Sequence, residues 1–71
     1  IGMELQDIKL NTMVKNIKHG CFETIVGICK MKNNGEWVDG ILYTGKDRYT
    51  GMNALFCKSF EEFKQEFEII N

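Results

Sequence analysis

Short runs of β-branched and aromatic residues, separated by turn residues, dominate the pattern of apolar and polar positions along this chain. The longest run covers residues 21–31, and it carries apolar groups at positions of both parities. A strand with two apolar faces is either central in its sheet or bent so that each half faces inward. Because an isolated glycine inside a strand favours a bulge, Gly27 is the candidate for that bend. The pattern therefore predicts a long strand in the middle of a sheet.

The strongest local signal is the Asn34-Gly35 pair within residues 32–35. Both residue types tolerate positive φ, so this pair between two strand-like runs predicts a tight hairpin. The returning strand covers residues 36–44, and Trp37 and Tyr43 share one of its faces. The weaker signals predict an arm over 4–12, strands over 13–17 and 53–58, turns at 11–12, 18–20 and 44–47, and a loop or irregular edge over 48–52.

The end of the chain has the pattern of an amphipathic helix. Ser59 at the N-cap and Glu62 three residues later fit a capping box. Four apolar residues then recur on one helical stripe: Phe60, Phe63, Phe67 and Ile70. This spacing predicts a C-terminal helix over 59–70 whose stripe packs onto the sheet. The alternative is that the stripe faces a partner groove or a dimer interface.

The run from 14 to 28 contains a Lys18-His19-Gly20 turn and ends in Val26-Gly27-Ile28. It resembles the opening of barrels of the Src-homology-3 (SH3) type. With segments 37–43 and 55–67, it is also similar to a family of short bacterial and phage proteins of unknown function. Where that family commonly has Arg-Pro, this chain has Cys57-Lys58, so the role of that arginine is not carried over.

Three to five short antiparallel strands with tight turns favour a small barrel or a highly curved sheet. Together with the resemblance, the expected fold is mainly β, a small five-stranded antiparallel barrel (SH3-like) with a C-terminal α-helix. The resemblance further implies a phage or bacterial setting, and it supplies no catalytic residues.

With 71 residues the chain is expected to form one domain over 1–71. A core of this size supplies only about 3–5 kcal/mol of net stability, so additional support is expected. Three cysteines cannot pair fully within one chain, and because the sequence shows no long apolar run we expect no leader peptide. We therefore expect free thiols, a cytoplasmic location, no membrane contact, and a homo-oligomer as the source of support. Ile1-Gly2 before Met3 is interpreted as a remnant of cloning.

The charge balance changes the expected class of ligand. A net charge of −1 and a pI of about 5.8 do not fit a general nucleic-acid binder, which usually carries a strongly basic face. A small anionic ligand remains compatible, because a few local cations are sufficient to bind it.

Motifs for catalysis are missing from the sequence, which has no phosphate loop, no nucleophile elbow and no zinc-protease motif. A metal site is not expected either, because there is no Cys-x-x-Cys and His19 is the one histidine. A nucleophilic pair of His19 with Cys21 is conceivable, but no third group orients it. We interpret these two as a solvated turn histidine beside a buried cysteine, and we expect no enzyme and no cofactor.

The candidate site combines aromatic and basic residues around one strand and its following turn. Aromatic rings stack on nucleobases, and arginine both stacks and binds phosphate through two parallel hydrogen bonds. The residues concerned are Trp37, Tyr43, Lys46, Arg48 and Tyr49, with Lys18 and His19 adding positive charge from another turn. The competing interpretation is that the aromatics are half-buried sheet residues and the charges are solvated.

Two functions follow from this constellation. The first is a non-catalytic, phage-encoded protein that sequesters a small nucleotide-like signalling ligand as an oligomer, as viral sponge proteins do in counter-defence. The second is a protein-interaction module that inhibits or bridges a host protein through the same aromatics.

Overall fold

The computed structural model describes residues 3–70, so the interpretation of Ile1 and Gly2 as a cloning remnant lies outside the described residues. These residues form a mainly β structure with one C-terminal helix. The strands are β1 (Met13–Asn16), β2 (Phe22–Asn33), β3 (Glu36–Lys46), β4 (Asn53–Ser59) and β5 (Phe67–Ile69). A 3-10 turn (Leu5–Asp7) precedes β1, and the helix α1 (Phe60–Glu66) connects β4 to β5.

The five strands form one antiparallel sheet in the order β4-β3-β2-β1-β5. β4 pairs only with β3, and β5 pairs only with β1, within the described part of the chain. The sheet is therefore open at these two edges, and the closed barrel expected from the sequence is not confirmed. No helix within residues 3–70 has the length and apolar character needed to cross a bilayer.

The bend expected near Gly27 is confirmed as a register shift in β2. Ile25 lies opposite Tyr43, whereas Ile28 lies opposite Ile41, so β2 contains one residue more than β3 over this interval. The extra residue shifts the alternation of β2 by one position. As a result, Ile25 and Ile28 lie on the same side of the sheet despite their odd spacing.

The hairpin between β2 and β3 is confirmed, since Asn34 and Gly35 have φ of 52° and 82°. The turn expected at 44–47 is wrong, because β3 continues to Lys46, which lies opposite Asn53. The chain reverses instead over 48–52, where the Asp47 amide donates to the Met52 carbonyl at 2.8 Å. Pairing with β4 outweighs the local turn preference of Thr44 to Asp47.

The start of the C-terminal helix is confirmed, because Ser59 Oγ accepts a 3.2 Å hydrogen bond from the Glu62 amide. The predicted helix to residue 70 is wrong beyond Glu66. Phe67 and Ile69 lie opposite β1 residues and alternate with exposed Glu68, as in a strand. β1 offers a free edge here, so backbone pairing replaces further helical turns.

The core lies between the sheet, α1 and the N-terminal segment. Phe63 and Phe67 are buried in it, so the phenylalanine stripe packs inward as predicted. The buried apolar residues belong to one cluster: Ile8, Val14, Ile25, Ile41, Tyr43, Phe63 and Phe67.

Candidate functional site

An open polar depression of about 240 Å³ lies on the inner face of the sheet, which is the face carrying Ile25 and Tyr43. All five strands contribute to its wall, together with α1 and the turns before β2 and after β3. The polar lining residues are Asn16, His19, Cys21, Glu23, Tyr43, Lys46, Arg48, Lys58 and Glu66, and the apolar ones are Phe56 and Phe67.

Strand alternation explains why these side chains meet. Tyr43 lies opposite both Ile25 on β2 and Phe56 on β4, so the three share the inner face. Glu23 and Lys58 are each two residues from a member of this row, and the period of two places them on the same face. The core and the depression are therefore adjacent on the inner face, and Tyr43 and Phe67 belong to both.

Four residues of the sequence-derived candidate site line this depression: His19, Tyr43, Lys46 and Arg48. Lys46 ends β3, Arg48 begins the next turn, and His19 lies in the turn before β2. The structure therefore brings residues from two separate turns to one place.

The other three predicted residues do not line it. Trp37 is 66% exposed near the β2–β3 hairpin, six residues or about 20 Å along the strand from Tyr43. Its ring lies 5.1 Å from Lys32 Nζ, a cation–π distance. Tyr49 is 99% exposed in the turn after β3, and Lys18 is exposed beside His19.

The stacking role expected for Tyr43 is contradicted by its packing. Tyr43 is 6% exposed, and its ring centroid lies 5.2–5.6 Å from those of Phe56, Phe63 and Phe67. Neighbouring rings thus occupy the space that a nucleobase needs. Burial, followed by the nearby carboxylates of Glu23 and Glu66, raises the pKa of Tyr43 to about 12, so its hydroxyl stays protonated at neutral pH.

Glu23 is one of several lining residues that the sequence interpretation missed, and Lys58 and Glu66 are two others. The Oε1 atom of Glu23 is buried and has no hydrogen-bond partner among the described residues. A Cβ on Gly45 would lie 2.8 Å from Glu23 Cδ, so the glycine leaves the room for this carboxyl group. Burial raises the pKa of Glu23, and Lys58 opposes the shift. The alternation of Glu23 with Ile25 is the sequence signal that places it on the inner face.

The basic residues of the depression differ in their pairing. Lys58 Nζ lies 3.2 Å from Glu66 Oε1, an ion pair that links β4 to α1. Within residues 3–70, Lys46 and Arg48 form no ion pair with a carboxylate. These two cations are available to an anion that enters the depression.

His19 and Cys21 both line the depression and both are exposed, so the expectation of a buried cysteine at this position is wrong. No hydrogen bond joins their side chains in the described part of the chain. The His19 amide instead donates to Asn16 Oδ1 at 2.9 Å, which stabilises the turn. Among the described residues, no group of three or more His, Cys, Asp or Glu side chains is arranged to hold a metal ion.

Comparison of the chain with family models, curated proteins and solved structures finds no significant match. The function is therefore inferred from the geometry of the depression.

Proposed function

We propose that this protein is a non-catalytic binding protein that holds a small nucleotide-like ligand in the depression. The observation that carries the proposal is the position of Lys46 and Arg48, two cations without a carboxylate partner in the described residues, at the rim of one polar concavity. Phosphate is the anion that suits them, because arginine binds it through two hydrogen bonds and lysine adds a point charge.

The remaining lining groups suit the neutral part of such a ligand. Glu23 Oε1 is an unused acceptor, and a ribose hydroxyl or an exocyclic base amino group supplies the missing donor. The protonated Tyr43 hydroxyl is a donor at the same site. Tyr49 follows Arg48 directly and is fully exposed, so its ring is free to stack on a base.

The proposal extends to the fold type, the assembly and the setting. The strand order β4-β3-β2-β1-β5, with a short helix before the last strand, supports an SH3-like fold. The two open edges of the sheet support a homo-oligomer, since edge strands pair readily with another chain. With the resemblance of residues 14–28 to phage proteins, we assign the protein to sequestration of a signalling nucleotide in the host cytoplasm.

Native mass spectrometry of the purified protein after exposure to a nucleotide-rich extract tests this function. We expect an oligomer that gains a discrete small mass equal to that of an intact nucleotide. The Arg48→Ala variant should lose the added mass without a lower melting temperature, because Arg48 is exposed.

Lys9→Ala removes one exposed positive charge outside the depression and is the matched control. Equal ligand uptake by the Arg48→Ala and Lys9→Ala variants contradicts the assigned role of Arg48. A mass that corresponds to a converted nucleotide contradicts the non-catalytic assignment.

A protein-interaction module is the second candidate, and exposed apolar side chains favour it. Met13 and Phe22 lie on the outer face, opposite to the core, and are 48% and 58% exposed. Trp37 adds a third exposed apolar side chain near the β2–β3 hairpin. Under this proposal a stoichiometric host protein is recovered from lysate with the wild type and lost with Phe22→Ser, while Arg48→Ala has no effect.

A further inference from the structure

Three sulfur atoms converge on the outer face of the sheet, on the side opposite to Tyr43. Cys29 Sγ lies 3.5 Å from Cys57 Sγ, and Cys57 Sγ lies 3.6 Å from Met31 Sδ. Cys29 and Met31 belong to β2 and Cys57 belongs to β4, so the sulfurs meet across the intervening strand β3. We refer to Cys29, Met31 and Cys57 as the sulfur cluster.

The sulfur cluster depends on a glycine in β3. Gly40 lies opposite Cys29, and a Cβ at this position would stand 2.8 Å from Met31 Sδ and 2.9 Å from Cys29 Sγ. Both distances are shorter than real Cβ contacts allow. The sulfurs therefore occupy the space that the missing side chain of Gly40 leaves.

We propose that the sulfur cluster is a binding site for a soft monovalent metal ion, Cu(I). Two cysteines and one methionine form a ligand set of thiolate and thioether sulfur, which selects Cu(I) over harder ions. The two cysteine sulfurs are 3.5 Å apart, which is less than twice a metal–sulfur distance of about 2.3 Å. Both sulfurs can therefore bind one ion with only a slight increase in the distance between them. Met31 supplies the third ligand, since its Sδ lies 3.6 Å from Cys57 Sγ.

The distance between the sulfurs favours a bridging ion over a disulfide. Cys29 Sγ and Cys57 Sγ are 3.5 Å apart, whereas a disulfide bond is about 2.04 Å long, so forming one would draw the two sulfurs together across β3. An ion bound to both sulfurs spans the present distance and requires no such movement.

Anaerobic competition for Cu(I) against a chromogenic Cu(I) chelator tests the site on the full chain. We expect the wild type to take up one equivalent. Loss of an outer-shell partner lowers metal affinity by up to about 100-fold. Cys29→Ser and Cys57→Ser each remove a direct ligand, so each should weaken Cu(I) binding by more than that. Cys21→Ser should retain wild-type affinity for Cu(I), since Cys21 lines the depression on the other face.

Gly40→Ala tests the geometry while it keeps all three sulfurs. The added methyl group separates Met31 from Cys29, and we expect binding weaker by at least about tenfold, as for a disturbed outer shell. Its melting curve checks that the variant is folded. The site is overturned if the wild type takes up no Cu(I), if Cys21→Ser loses as much affinity as Cys29→Ser, or if Gly40→Ala binds like the wild type. This test is independent of ligand binding in the depression.

Discussion

A single buried carboxyl group shows how strand alternation creates an unusual chemical environment. Glu23 and Ile25 are two residues apart on β2, so both side chains lie on the inner face of the sheet. One carboxyl oxygen is thereby buried without a partner among the described residues, which destabilises the charged form. Glu23 Oε1 is also the acceptor to which the proposed ligand would donate a hydrogen bond. The group that lowers the stability of the free protein is therefore one that would bind the ligand.

The pH dependence of folding tests this environment. Burial raises the pKa of Glu23 in the folded protein above the ordinary value of 4.5. The folded state therefore binds the proton more readily than the unfolded state, and stability falls as pH rises from 4.5 through the raised pKa. Glu23→Gln should lack this fall, so its melting temperature relative to the wild type should be higher at pH 7 than at pH 4.

The control is Glu36→Gln, which removes a carboxyl group at an exposed position near the hairpin. Its melting temperature relative to the wild type should be the same at both pH values. Parallel pH profiles for Glu23→Gln and the wild type would show that the buried carboxyl group does not limit stability.

The aromatic core makes a second prediction at the scale of one residue. Phe63 is fully buried and stacks on Phe67 with ring centroids 4.5 Å apart. Phe63→Ala should lower the free energy of unfolding by about 3–5 kcal/mol, the usual loss for a buried phenylalanine. Leu10→Ala, at an exposed apolar residue, should change it by less than about 0.5 kcal/mol. Chemical denaturation measures both, and a near-neutral Phe63→Ala would contradict the position of α1.

At the scale of elements, the features set by neighbouring residues were predictable and those set by distant pairing were not. The Asn34-Gly35 hairpin and the Ser59 N-cap each depend on a few adjacent residues, and both were found. The ends of β3 and α1 depend on which strand lies alongside, which periodicity does not reveal. Phe67 fits a helical stripe and a strand equally well, and the free edge of β1 decides between them.

Two glycines of the β2–β3 pair, Gly35 in the turn and Gly27 within β2, should respond to alanine with different changes in the free energy of unfolding. Gly35 has φ of 82°, and apart from its own and its chain neighbours' atoms no atom of residues 3–70 lies within 4 Å of a Cβ built there, so Gly35→Ala isolates the backbone cost of about 1–2 kcal/mol. A Cβ on Gly27 meets Leu42 at an ordinary 3.5 Å, so Gly27→Ala should be neutral or stabilising by up to about 1 kcal/mol. Urea denaturation of both variants measures the difference, and equal losses would contradict the hairpin geometry.

At the scale of the whole molecule, the candidate site was only partly predictable. Lys46, Arg48 and His19 were found from composition and turns, and the fold brings them to one depression. Trp37 shares the parity of Tyr43, but the length of β3 separates them. Parity indicates the face of a sheet, whereas position along a long strand decides which residues on that face can contact one ligand.

The two open edges of the sheet make the last prediction, which concerns assembly. β4 presents one unpaired edge over seven residues, and β5 presents the other. Pairing of β4 in one copy with β5 in the next satisfies both edges and generates a closed ring or a chain of copies. We therefore expect sedimentation to give a mass of at least two copies of the 8.2 kDa chain.

Charged side chains on an edge strand oppose such pairing. Leu55→Lys, at an exposed apolar position of β4, should shift the protein to the monomer. Trp37→Lys makes the same change at an exposed position near the hairpin and should leave the mass unchanged. A wild-type monomer at micromolar concentration would contradict self-association. Equal dissociation by both variants would locate the contact on another surface, because only Leu55 lies on an open edge.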